Sequence, residues 1–212
     1  GGGAKADHRH PFFARIWPTL NARLLKGRGA ADRDRLLSGL SGRIVEVGCG
    51  DGSLFARYPA SVVRVDAVEP EPTLRAKAQA AASSAPVPVE VHASDAEHLP
   101  VETGTVDAVV FCLVLCSVPD QLKALAEAKR ALKPGGQIRF YEHVVAESGP
   151  GAGVLKALDT SGVWPKLGGG CHVSRDTARA IAAAGFSITS LERFTHPRPG
   201  VPHILGVAEP AS

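Results

Sequence analysis

Between Val106 and Leu115 the chain runs VDAVVFCLVL, an apolar stretch almost unbroken by a polar side chain. A strand with one wet face would alternate, and this one does not, so it must be covered on both faces. It is too short to cross a membrane, and no longer apolar run exists in the chain. The segments around it alternate in type. RIVEVG, SVVRVDAVEP, VPVEVHA and QIRFYEHV read as strands, the second ended by Pro70. GSLFARYP reads as a short helix ended by Pro59, and TLRAKAQAAAS as an alanine-rich helix. SDAEHLPVETG is a loop. DQLKALAEAKRALKPGG is a helix with Asp120 as N-cap and Pro134-Gly135-Gly136 as its stop. Strand and helix taking turns in this way predict an α/β fold, a mostly parallel sheet with helices on both faces.

The ends of the chain differ from this pattern. HPFFARIWPTLNARLLKGRG carries Phe12, Phe13, Ile16, Leu20 and Leu24 at roughly helical spacing, so residues 11–40 are expected to form lid helices ahead of the core. The leading GGG reads as a tag remnant, and residues 1–10, with His8 and His10, as a flexible N-terminus. SRDTARAIAAAG is a helix with Ser174 as N-cap and Gly185 at its end. FSITSLERF and HILGVAEP follow as consecutive strands joined by THPRPGVP, which predicts an antiparallel pair at the sheet edge. The glycine-rich stretch between core and tail, residues 149–173, is expected to be a helix plus a loop on the substrate side. Residues 11–212 then form a single domain, large enough for a proper core.

Charge and cysteine usage narrow the functional class. The formal net charge of +3 is too small and too evenly spread to suggest nucleic acid as a partner. The four cysteines form no CxxC pair, and no secretory signal is visible, so reduced thiols and a cytoplasmic location are expected.

In an open parallel sheet, ligands sit at the carboxyl ends of the strands. The first strand ends there in the turn Gly48-Cys49-Gly50-Asp51-Gly52, and the second in Glu69-Pro70, with Glu69 seventeen positions after Gly52. A carboxylate so placed can accept both ribose hydroxyls of an adenosine group. The dinucleotide fingerprint is GxGxxG; here the spacing is GxGxG, and the turn has no cationic residue. That leaves little for a pyrophosphate and suits a compact, phosphate-free ligand such as S-adenosylmethionine. Glu46 and Asp51 suit its positive sulfonium and amino groups. The plainer alternative is a glycine turn that binds nothing. Asp95 can accept from an adenine amino group and the Ala96 amide can donate to the ring, unless SDAEHLP is only a connecting loop. Backbone at Cys112 and Leu113 would line the methionine part.

Taken together, EVGCGDGSL, AVEPEP, SDAEHLP and LKPGG in this order resemble class I S-adenosylmethionine-dependent methyltransferases of the ubiquinone-methyltransferase-like type, over roughly residues 11 to 209. The resemblance implies a Rossmann-like seven-stranded sheet in order 3-2-1-4-5-7-6 with strand 7 antiparallel. It also implies S-adenosylmethionine as cofactor and S-adenosylhomocysteine as product. LVLCSVPDQ, LKPGGQIRFYEHV, GGGCHVSRDT and PHILGVA further resemble a subgroup that includes the membrane-associated alkyl-thiol S-methyltransferases of animals. Those carry an N-terminal hydrophobic anchor, where this sequence has the short HPFFARIWPTLNARLL.

A small-molecule acceptor, with a thiol as leading choice, is therefore expected. The alternatives are O-methylation of a phenolic or carboxylic metabolite, or a cofactor-binding partner protein without turnover. Arsenite methylation needs several converging cysteines, and only Cys171 and Cys49 lie near the expected pocket.

Methyl transfer needs alignment and dryness rather than a metal, though a thiol or phenol must lose a proton. His143, at the end of FYEHV, is the first choice for a base, with Glu142 on the opposite face. It can equally pack under the lid. His172 can close over the substrate or cap the helix near Ser174. Phe13, Trp17 and Trp164, with Phe12, can wall an apolar acceptor pocket or simply fill core. His196 and His203 flank a proline-rich turn and read as structural.

Overall fold

The structure, a computed structural model, describes residues 28–144, 175–196 and 202–211. In chain order the elements are α1 (Arg28–Leu37), β1 (Gly42–Val47), a 3₁₀ turn (Phe55–Arg57), β2 (Val62–Val68), α2 (Pro72–Ala82) and β3 (Val89–His92). They continue with β4 (Val106–Cys112), α3 (Gln121–Ala131), β5 (Leu132–His143), α4 (Thr177–Ala183), β6 (Phe186–Thr195) and β7 (Pro202–Pro210).

The seven strands form one sheet in the order β3-β2-β1-β4-β5-β7-β6. β1 to β5 are parallel, while β7 runs antiparallel to both β5 and β6. Strand order reverses beside β1, where β2 lies on one side and β4 on the other, which opens the crevice used by ligands in such sheets.

Each face of the sheet has its own core. Val45 and Val47 of β1 join Val109 and Phe111 of β4 under α3 and α4, whose Leu125 and Ile181 are fully buried. Ile44 of β1 faces the other way with Val65 and Ala67, under Leu36 and Leu37 of α1, Phe55 and Ala78 of α2. The absence of polar alternation in β4 is thus explained: Val109 and Val110 are both completely buried, one in each core.

The structure corrects four boundaries. The helix expected at 52–59 is only the 3₁₀ turn, because Gly52 takes a positive φ of 78° and Pro59 follows closely. β4 stops at Cys112 rather than Leu115, since Leu113 turns to a φ of 59°. α3 ends at Ala131, and residues 132–136 already belong to β5, paired irregularly with β4, instead of prolonging the helix. The cap of α4 is Asp176, whose side chain accepts from the Arg179 amide; Ser174 lies outside the described residues. Asp120 caps α3 as expected, accepting from Leu122 and Lys123 amides. Within the N-terminal region expected to be helical, α1 is the described part.

Candidate active site

β1 delivers the chain into the turn at Gly48, and three glycines there, Gly48, Gly50 and Gly52, have φ of 63°, 59° and 78°. These are left-handed values that a side chain opposes. Gly48 is also required for space: a Cβ there would lie 2.5 Å from the Val114 side chain. The turn after β1 and the turn after β4 are therefore in direct contact.

Glu69, at the end of β2, is 6% exposed and reaches across to the glycine turn. One carboxylate oxygen accepts from the Gly50 amide at 2.9 Å and the other from the Glu71 amide at 2.9 Å. Burial pushes its carboxyl up to about 7. Each oxygen keeps a lone pair for a further donor. Arg75 holds the following bend by donating to the carbonyls of Glu69 and Pro70. Glu46 lies under the turn. It is 2% exposed, and accepts from the Tyr58 hydroxyl at 2.8 Å. Burial pushes it up to about 8. Cys49 is buried, and its amide donates to Val68, which ties the turn to β2. Asp51 accepts from the Ser53 amide.

Beyond β3, Asp95 accepts from the Glu97 amide at 2.9 Å and Ala96 is buried beside it. Beyond β4, Cys112 is half-buried, with its thiol pushed up to about 12 by burial, and the Leu113 amide donates to Tyr141 at 2.7 Å. Thus Glu46, the glycine turn, Glu69, Asp95 and the Cys112–Leu113 backbone all stand at the carboxyl ends of β1 to β4.

His143 ends β5. Strand register places it opposite His203 of β7, which is opposite Phe194 of β6. The rings meet: His143 and His203 are edge to face at 4.6 Å, and Tyr141, Phe194 and His203 are nearly parallel at 5.2 to 6.3 Å. His196 packs edge-on against His203 at 4.9 Å, with Nε2 3.0 Å from Asp32 and 3.3 Å from the Tyr141 hydroxyl. The Arg33 guanidinium sits 5.7 Å from the Tyr141 ring centre. His203, read as structural from its place beside a proline-rich turn, thus packs directly on the candidate base, and His196 packs on His203. Only cross-strand register reveals this. Glu142 faces away from His143, as alternation requires, and accepts from the amides of Val114, Leu115 and Cys116. Phe12, Phe13, Trp17, Trp164, Cys171 and His172 lie outside the described residues.

A family model described as a methyltransferase domain matches residues 45–140, from β1 to within β5. The thiol S-methyltransferase TMT1B of Rattus norvegicus is 33% identical over 212 residues, covering 93% of this chain and 85% of the relative. The chain belongs to the class I S-adenosylmethionine-dependent methyltransferases. The methyltransferase is also 36% identical to the human thiol S-methyltransferase TMT1A, over 81% of this chain and 72% of the relative. Among solved structures it is similar to a geranyl diphosphate methyltransferase in complex with S-adenosylmethionine, with a TM-score of 0.69 and 16% identity, over 98% of this chain and 92% of that one.

S-adenosylmethionine is its cofactor, and the residues present suit it. The glycine turn offers backbone without side chains, Glu69 offers a buried carboxylate with spare lone pairs, and residues 48–52 contain no cation for a pyrophosphate. Among the described residues no helix is long and apolar enough to cross a membrane.

Proposed function

We propose that the methyltransferase transfers the methyl group to the sulfur of a small thiol. The observation that carries this reading is likeness to thiol S-methyltransferases over nearly the whole chain. The arrangement at the end of β5 supports it with a half-buried imidazole, His143, beside aromatic rings.

In this reading Glu69 accepts the ribose hydroxyls, with Pro70 shaping the bend behind it. Asp95 and the Ala96 amide take the adenine edge. Gly48, Cys49, Gly50 and Gly52 pass under the ligand as bare backbone. Glu46, with Asp51, faces its positive end. Cys112 and Leu113 line the methionine part. The bound cofactor supplies a methyl group already activated on a sulfonium. The chain has to hold the acceptor sulfur in line with it and take the thiol proton. His143 would accept that proton on a ring nitrogen, leaving the thiolate sulfur to take the methyl group with S-adenosylhomocysteine as the leaving group, and the His203 ring against His143 fixes its orientation. On sequence grounds His172 closes over the acceptor, and Phe13, Trp17 and Trp164 form its apolar wall.

The test is methyl-labelled S-adenosylmethionine offered with alkyl and aryl thiols in one panel and phenols and carboxylic acids in another. Label in thiols alone, lost on His143→Ala by about a hundredfold at pH 7, is the expected result. Label in the oxygen panel alone overturns the thiol assignment.

A further inference from the structure

β4 ends in a turn that the structure holds from both sides. Leu113 has a φ of 59°, the one positive value at a non-glycine among the described residues. A leucine resists that conformation, so something must hold it. The holding group is Glu142, which is 0% exposed. Its Oε1 accepts from the amides of Val114 and Leu115 at 2.9 and 3.0 Å, and its Oε2 from Cys116 at 3.2 Å. Three successive amides converging on one carboxylate form an anion nest, here filled by the protein itself.

The carbonyl side of the same turn is held too. Arg175 donates to Leu115 and Val118 at 3.1 and 2.6 Å, and Gln121 donates to Leu115 at 3.1 Å. The turn so fixed presses Val114 against Gly48, close enough to exclude a Cβ there. It therefore sets the width between the two strand ends that flank the crevice. Sealing a carboxylate among apolar side chains costs free energy, and burial does push Glu142 up to about 7. A neutral turn of ordinary geometry would avoid that cost.

We propose that Glu142 is a positioning residue, which sets the Cys112–Leu113 backbone against the methionine part of S-adenosylmethionine, with Arg175 holding the other side of the same turn. This rests on the assignment of that backbone to the methionine part. Completely buried and bonded to the Val114, Leu115 and Cys116 amides, Glu142 acts through the turn. It also shares β5 with His143, so one strand end fixes the cofactor side with one residue and carries the candidate base on the next.

The test separates the methionine part from the rest of the ligand. S-adenosylhomocysteine contains it and 5′-methylthioadenosine does not. Affinities of both are measured by titration calorimetry on the full chain, for wild type, Glu142→Gln and Glu69→Gln. In Glu142→Gln an amide NH₂ replaces one accepting oxygen, so the nest loses its fit. The expected result is about tenfold weaker S-adenosylhomocysteine binding with 5′-methylthioadenosine unchanged within about twofold. Glu69→Gln, acting at the ribose, weakens both. Equal losses for both ligands in Glu142→Gln, or no loss for either, overturn the positioning role. Wild type that binds the two ligands equally well overturns the assignment of the turn to the methionine part, and the proposal with it. Should Glu142→Gln not fold, Arg175→Gln decides by the same pair of affinities, with the same selective loss expected and equal losses refuting it.

Discussion

Gly48 shows how much one residue can decide. Its φ of 63° opposes any side chain, and the Val114 methyl occupies the space a Cβ would need. Gly48→Ala is therefore expected to cost about 2 kcal/mol of unfolding free energy, seen as a lower urea midpoint. An unchanged midpoint would mean the two turns are not in contact. Glu46 makes a different kind of demand. Buried beneath the turn with its carboxyl pushed up to about 8, it is largely protonated at neutral pH. A cationic ligand favours its ionised form, so binding S-adenosylmethionine releases protons near pH 7. Calorimetry in two buffers of different ionisation enthalpy measures that release. Glu46→Gln should reduce it, and an unchanged release in that variant would remove Glu46 from the ligand's positive end.

The strands and helices were legible because they obey local rules. The doubly buried β4, the Asp120 cap and the Gly185 stop after α4 are all written in neighbouring residues, whereas Pro134-Gly135-Gly136 falls inside β5 and not at the end of α3. Asp120→Ala is expected to lower stability by about 1 kcal/mol in urea denaturation, since the Leu122 and Lys123 amides lose their acceptor. The connections were less legible. The GSLFARYP segment has helical composition, but Gly52 adopts a conformation that begins no helix. The β4 strand reads as apolar through Leu115, yet leaves the sheet at Leu113 because a carboxylate far along the sequence takes the next amides. The glycine turn and the carboxylate that reaches it could be found by spacing alone. The ring cluster around His143 could not, since His196 and His203 reach it only through the register of β6 and β7.

Across the molecule, three interior glutamates share one bias. Glu46, Glu69 and Glu142 all sit above their ordinary value of 4.5, at about 8, 7 and 7, through burial. The sign follows directly. Between 4.5 and about 8 the folded chain binds more protons than the unfolded one, so stability falls as pH rises through this window. Each such group contributes a slope of up to about 1.4 kcal/mol per pH unit. Melting temperature should therefore drop from pH 5.5 to 8.5, and Glu46→Gln should flatten the upper part of the curve; a curve that rises in wild type would contradict this burial. The place of β7 has another consequence. It is made after β6, yet it lies between β5 and β6. During synthesis, β6 emerges from the ribosome with no neighbour to join. β5 waits with one side bare. Only when the segment from Pro202 onward appears do both find a partner at once, so the closing of this sheet is set by the arrival of its last strand.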